Sequence, residues 1–330
     1  MTTAWLFPGQ GTQQVGMGKE LHASSAAARE VWERADAALG FSLSKLCFEG
    51  PEAELTLTKF AQPAIVTTSI AALAALREAL PGLELPACGA GHSLGEYSAL
   101  VASGALGFED AVRLVHLRGQ AMQDAVPAGV GGMAAIMGGD AAAVVTLCQD
   151  SAQGEVVSPA NFNTPGQIVI SGHKSAVERA AALAGERKLK ATMLNVSAPF
   201  HCSLMAPAAE RMKAALAAIS IAPLGFPVVA NVEAKPNADA ARVAELLVRQ
   251  VDSSVLWDQT ITYMAGAGVT RALEIGPGKV LGNMAKRIDK RVVVLSVGDS
   301  EAVAKVAEFL ANEAAPASMG ELPPLSLPRP

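Results

Sequence analysis

Gly91-His92-Ser93-Leu94-Gly95 is the stretch on which the reading of this chain turns. It fits G-x-S-x-G, the pattern of a serine carried on a sharp turn between a strand and a helix. So tight a turn brings backbone segments together where a Cβ would clash, hence the glycine on either side. The turn would push the Ser93 hydroxyl into an open site and aim the next amide, that of Leu94, at an oxygen developing negative charge. The surroundings agree. Residues 85–90 are uncharged and read as a brief strand, and residues 94–106 place Leu94, Tyr97, Leu100 and Val101 at helical spacing. The alternative is an ordinary glycine turn.

Outward from this point, residues 3–7 read as an apolar strand that ends in the turn Pro8-Gly9-Gln10-Gly11. Helical patterns follow at residues 26–39, 61–80, 94–106 and 108–126. Strand and helix in alternation indicate an α/β layer architecture. The pattern changes after Gly129-Val130-Gly131-Gly132. Strands at 133–137, 156–160, 167–171 and 190–196, with helices at 140–149 and 174–186, give the order βαββαβ of a compact ferredoxin-like unit. Alternation then resumes, with helices at 207–219, 242–251 and 302–312 and strands at 228–231, 271–275 and 292–297. The expected division is a large unit from residues 1–128 and 198–312, an insert at 129–197, and a disordered tail at 313–330, which holds five prolines.

Composition narrows the classes. A chain of 330 residues that is 51% hydrophobic and 17% charged is not disordered and can bury a large core. A net charge of −5 without a dense Lys/Arg run leaves no footprint for nucleic acid. Cys47, Cys88, Cys148 and Cys202 are scattered and read as buried free thiols of a reducing compartment. The N-terminus has no basic segment or cleavage signature. Residues 60–76 are too polar and slightly too short for a membrane span and read as a buried core helix, and residues 214–232 are broken by Pro223, Gly225 and Pro227. The expectation is a soluble, cytoplasmic, monomeric protein with no metal site.

A serine nucleophile needs a base. His22 and His173 read as surface residues, His116 as structural, and His92 as lining the site, because neighbours on a turn point apart. His201, in Ser197-Ala198-Pro199-Phe200-His201-Cys202, is the candidate base, with packing as its alternative. No acid stands just before it, so a backbone carbonyl or an amide side chain would orient it. Arg118 shares a helix face with Leu114, Val115 and Met122, whereas Arg113 pairs naturally with Glu109 and Asp110. A cation on an apolar face awaits a carboxylate, snorkels, or forms an internal salt bridge. Gly9-Gln10-Gly11 lacks the third glycine of a dinucleotide fingerprint, and its turn could present the Gln10 amide as a second oxyanion donor. Gly276-Pro277-Gly278-Lys279 lacks the phosphate-loop spacing.

Taken together, these pieces resemble the malonyl-CoA:acyl carrier protein transacylases, a family that includes the fatty-acid enzyme and polyketide synthase acyltransferases. The resemblance runs from about Trp5 to Val297. It rests on Phe7-Pro8-Gly9-Gln10-Gly11, Gly91-His92-Ser93-Leu94-Gly95-Glu96, Arg118-Gly119 with Met122-Gln123, Asn161-Phe162-Asn163-Thr164-Pro165-Gly166-Gln167, Pro199-Phe200-His201, Gln250 and Glu274-Ile275-Gly276-Pro277-Gly278. It implies Ser93 as the nucleophile, His201 as its base, and the Gln10 and Leu94 amides as the oxyanion hole. Arg118 would bind the malonyl carboxylate, and the Gln250 carbonyl would orient His201. His92, Met122, Asn163 and Phe200 would line the site, with Phe200 resembling malonyl-loading members. The fold it implies is an α/β-hydrolase-like subdomain with the ferredoxin-like insert.

The implied activity is transfer of malonyl from malonyl-CoA to the phosphopantetheine thiol of an acyl carrier protein, with no bound cofactor. Lys188, Lys190, Lys279, Lys286 and Arg287 are candidate contacts for an acidic carrier, or simply solvated charge. Two other readings stay open: a thioester hydrolase on the same scaffold, which Arg118 argues against, and a nucleotide-binding module, which leaves Ser93 unexplained.

Overall fold

The computed structural model describes residues 2–196 and 198–312. Among them, ten strands form two sheets. β1 (Thr2–Phe7) and β2 (Cys88–Gly91) begin the first. β3 (Gly131–Met137), β4 (Val157–Thr164), β5 (Gln167–His173) and β6 (Lys190–Met193) make up the second. β7 (Val228–Ala230), β8 (Lys235–Asn237), β9 (Val269–Ile275) and β10 (Val293–Val297) complete the first.

The first sheet has the order β10-β9-β1-β2-β7-β8, parallel except at β8. Its central strand reads Thr-Thr-Ala-Trp-Leu-Phe, and Ala4 to Phe7 are buried on both faces, as a strand covered by helices on either side requires. The chain runs from β1 outward through β2 and β7, then returns to fill the other side with β9 and β10. The order reverses between β9 and β1, and open α/β sheets bind ligands outside the carboxyl ends of their strands at such a point. Gln10 follows β1 and Ser93 follows β2.

The second sheet is antiparallel throughout, with the order β4-β5-β3-β6. Val144 and Leu147 of the Ala141–Ala152 helix and Val177 and Ala180 of the Lys174–Glu186 helix pack with Ile136, Ile168 and Ile170 in one core. This is the ferredoxin-like arrangement expected from the βαββαβ order.

The Thr58–Ala79 helix is 22 residues long and apolar enough to span a membrane by length and composition, contrary to the expectation that this segment is too short. It is nonetheless the buried core helix expected, packed among the Ala26–Leu39 and Phe108–Asp124 helices. Pro63 sits in its second turn and lacks the N–H that the Lys59 carbonyl would receive; His116 Nδ1–H donates to that carbonyl at 2.7 Å. His116 is thus structural, as its sequence context suggests.

Several boundaries differ from the sequence reading. The strand before the motif is Cys88–Gly91 and the helix after it stops at Ala102. The Trp257–Gly266 and Val280–Ile288 helices and β8 are additional. The Gly276-Pro277-Gly278 turn leads into the Val280–Ile288 helix, whose first amides are capped by buried Glu274: Leu281 N–H at 2.8 Å and Gly282 N–H at 3.0 Å. Arg113 pairs with Asp110 at 3.1 Å, but Glu109 pairs with Arg34 of the neighbouring Ala26–Leu39 helix at 2.7 Å, a partner that only packing supplies. The expected tail at 313–330 lies outside the described residues.

Glycine at position 91 is dictated by close approach. A Cβ there would sit 1.8 Å from the Gly95 carbonyl carbon and 2.3 Å from the Glu96 nitrogen, both backbone atoms that cannot swing away. A Gly91→Ala protein is expected to lose about 3 kcal/mol or more of stability, read as a lower midpoint of urea unfolding. An unchanged midpoint would show that the turn can open without cost.

Candidate active site

Ser93 sits between β2 and the Gly95–Ala102 helix with φ of 50°, in the left-handed region that an L-residue adopts only under constraint. The constraint is visible. Ser93 N–H donates to Asn231 Oδ1 at 2.7 Å, Asn231 Nδ2 donates to the Gly91 carbonyl at 2.7 Å, and Gln250 Nε2 donates to the Ser93 carbonyl at 2.8 Å. Two amide side chains thus hold the strained turn from below. Among the described residues, the backbone amides of Gln10 and Leu94 donate no hydrogen bond within the protein.

The Ser93 hydroxyl lies 2.7 Å from His201 Nε2, and His201 Nδ1 lies 2.9 Å from the Gln250 carbonyl. A carbonyl can only accept, so Nδ1 carries the proton and Nε2 presents its lone pair to the hydroxyl. His201 is buried, and burial, followed by the nearby Arg118 charge, pushes its pKa down to about 3. The imidazole is therefore neutral at physiological pH, the form a general base requires. Its orienting group is a backbone carbonyl, in keeping with the absence of an acid beside it in sequence.

Arg118 is 1% exposed. Its Nη2 donates to Ser93 Oγ at 3.1 Å and to Gln250 Oε1 at 2.9 Å, and its Nη1 donates to Gln62 Oε1 at 2.9 Å. Nε is buried without a partner among the described residues. The helices carrying Arg118 and Gln62 approach closely because Gly119 has no side chain; a Cβ there would stand 2.6 Å from Lys59 Cα. Neither snorkelling nor an internal salt bridge describes this residue. It is a guanidinium desolvated against neutral groups, beside a serine hydroxyl.

Gln250, Glu96 and Asn231 form the support beneath. Gln250 Nε2 donates to Glu96 Oε2 at 2.7 Å, and Asn231 N–H donates to the same oxygen at 3.1 Å. Glu96 is 3% exposed, and burial raises its pKa to about 7 against the opposing pull of the Gln250 and Asn231 donors and Arg118. Sequence reasoning found the Gln250 backbone but missed its side chain, Gln62, Glu96 and Asn231. A carboxylate directly after the serine motif on an apolar helix, and a glutamine within the uncharged run at 60–76, were the available signals. Nothing local marks Asn231.

The site opens into a cleft of about 710 Å³ between the two sheets, with Met133 and Asn161 contributed by the smaller one. Gln10, His92, Met122 and Phe200 line it alongside Ser93, Arg118 and His201. Asn163 does not. It stands behind the wall, its Oδ1 accepting from His92 Nε2 at 2.9 Å, while the His92 ring meets Trp257 edge-on at 5.5 Å. Strict alternation would put residues 161 and 163 on the same face, but the register of β4 against β5 shifts between Phe162 and Thr164. Asn161, which bridges to Val255, lines the cleft, while Asn163 goes to His92. Chemically, a hydroxyl bonded to an oriented neutral imidazole, two open amides and a desolvated guanidinium can transfer an acyl group that bears a carboxylate.

The family model described as the acyl transferase domain matches residues 4–308, and the chain belongs to that family. A malonyl CoA-acyl carrier protein transacylase of Salmonella typhimurium is 49% identical over 286 residues, 86% of this chain and 92% of that protein. Among solved structures, the malonyl CoA-acyl carrier protein transacylase of Coxiella burnetii is 40% identical with a TM-score of 0.92, covering 94% of this chain and 98% of that one. A malonyl-transacylase solved in complex with its type II PKS acyl-carrier protein is 41% identical with a TM-score of 0.91, over 94% of this chain and all of that one.

Proposed function

We propose that this acyltransferase moves a malonyl group from malonyl-CoA to the phosphopantetheine thiol of an acyl carrier protein, through an acyl-Ser93 intermediate. The observation that carries the reading is the convergence on one hydroxyl of His201 Nε2 at 2.7 Å and Arg118 Nη2 at 3.1 Å. A plain serine hydrolase has no use for the second. The names of the relatives point to the same substrates.

In the first half-reaction Ser93 Oγ attacks the thioester carbonyl and its proton passes to His201 Nε2. The developing oxyanion is held by the Gln10 and Leu94 amides. The C–S bond then breaks, and His201 returns the proton to the CoA sulfur. Arg118 turns from Ser93 Oγ to the malonyl carboxylate, which its fork can hold with two parallel hydrogen bonds. In the second half-reaction the carrier thiol attacks the ester along the same path in reverse. Phe200 and Met122 make the acyl pocket apolar and narrow beside the guanidinium; His92, held by Asn163, lines the wall. In this reading residues 1–128 and 198–312 supply the catalytic unit and 129–197 the inserted wall, and the protein acts as a cytoplasmic monomer.

Intact-protein mass after brief mixing with malonyl-CoA tests this directly. The expected result is one malonyl adduct, discharged by added holo carrier protein. Steady CoA release without an adduct would indicate hydrolysis instead. A pH prediction accompanies it. Because His201 stays neutral until far below the ordinary histidine range, kcat/KM for loading is expected to hold level between about pH 7 and 5. A fall centred near pH 6.5 would show that burial does not control the base.

A further inference from the structure

Among the described residues, no carboxylate oxygen lies within ion-pairing distance of Arg118; its donors go to Gln62, Gln250 and Ser93. Its negative counterpart stands one amide away. Gln250 receives Arg118 Nη2 on Oε1 at 2.9 Å and gives its Nε2 to Glu96 Oε2 at 2.7 Å, so the carboxamide bridges a buried cation and a buried carboxyl group. Glu96 also decides which way that amide points, because a carboxylate accepts only from the NH₂ end. Both N–H donors to Glu96, from Gln250 and from Asn231, reach the same oxygen, Oε2. Oε1 receives no hydrogen bond among the described residues, and Glu96 lines a cavity of about 10 Å³ together with Leu100, Val228 and Val243. A proton placed on Oε1 would disturb neither of the existing bonds.

Building on the acyl-transfer reading above, we propose that Glu96 is a positioning residue and the internal counter-charge of Arg118, and that it takes up a proton from solvent when an acyl carboxylate binds Arg118. In the free protein one cation faces one anion. With the acyl carboxylate bound, two anions would share one guanidinium in a buried site, and protonation of Glu96 restores the balance. Burial has already brought Glu96 to a pKa of about 7, so the arriving carboxylate needs to add little. The titratable groups around Glu96 are Arg118 from the Phe108–Asp124 helix, Tyr97 of its own helix and, beyond Gln250, His201. β7 and the Ala240–Asp252 helix present to it apolar and amide groups.

Loading itself moves the Ser93 proton to the CoA sulfur and exchanges none with solvent, so any uptake is additional. A pH-indicator dye in weak buffer at about pH 7.5 reads it when near-stoichiometric enzyme is mixed with malonyl-CoA or acetyl-CoA, with loading followed by mass. The expected result is uptake approaching one proton per malonyl-loaded Ser93 and none with acetyl. A Glu96→Gln protein keeps an oxygen for Gln250 and Asn231 and mimics the protonated form. It is expected to load malonyl without uptake, with a malonyl-to-acetyl ratio of kcat/KM that is level with pH, whereas the native ratio falls by up to tenfold per pH unit above neutrality. Native loading without uptake overturns the proposal, as does uptake that persists in Glu96→Gln, which would place the proton on His201. A native sample also answers without any variant. With ¹³C-labelled malonyl-CoA, loading should raise a carboxylic-acid C=O infrared band that the label does not shift, and its absence overturns the proposal. No loading at all would defeat the acyl-transfer reading itself, an outcome distinct from loading without uptake.

Discussion

A Ser93→Ala protein gains no malonyl mass and transfers none to carrier protein, and His201→Ala loads about 10⁴- to 10⁶-fold more slowly than the native enzyme. Alanine at position 93 adds no backbone strain, since both residues carry a Cβ at φ of 50°. The loss would therefore be chemical, and the fold should survive with the Asn231 and Gln250 bonds to the Ser93 backbone intact. For His201 the size of the effect follows from the geometry. The hydroxyl is 2.7 Å from a nitrogen whose tautomer is set by the Gln250 carbonyl, so proton removal and return run through a single oriented group. Stopped-flow CoA release with intact mass checks both. A His201→Ala protein that loads within tenfold of the native rate would remove His201 from the mechanism.

The second large effect belongs to Arg118. Replacing it with alanine leaves the acyl carboxylate buried without a partner, which costs about 3–5 kcal/mol, or roughly 10²- to 10³-fold in kcat/KM for malonyl-CoA. Acetyl loading, which brings no carboxylate, is expected to change by less than about tenfold, so the choice between the two acyl groups collapses. Arg118→Lys keeps the charge but not the fork that reaches Gln62, Gln250 and Ser93 together, and should fall in between. The alanine protein also strands the Gln62 and Gln250 oxygens, so its unfolding midpoint must be measured alongside. Equal losses for malonyl and acetyl would show that Arg118 supports the site without reading the substrate.

Much of the site was legible because its pieces are local. The glycines at 91 and 95, the apolar spacing after Ser93, and the cation among Leu114, Val115 and Met122 each state a requirement within a few residues. Part of what was missed, Asn231 and the Gln250 side chain, has no local expression. Asn231 reaches Ser93 across 138 residues and Gln250 reaches it across 157, and neither position differs in pattern from an ordinary polar residue at the end of a strand or on a helix. The family resemblance puts Asn163 in the lining of the site, whereas its side chain goes to His92 and Asn161 lines the cleft.

By itself the sequence determined the strand–turn–helix at Ser93, the α/β alternation, the βαββαβ insert and the chemical character of Ser93, His201 and Arg118. These follow from periodicity, turn sterics and the cost of a cation on an apolar face, all of which act between near neighbours. Only the tertiary structure decided that the three meet on one hydroxyl, and that Arg118 is held by neutral amides with Glu96 one bond beyond. Those outcomes depend on which helix packs against which strand end. Residues 25, 108 and 132 positions apart become hydrogen-bond partners only when the whole core closes around them.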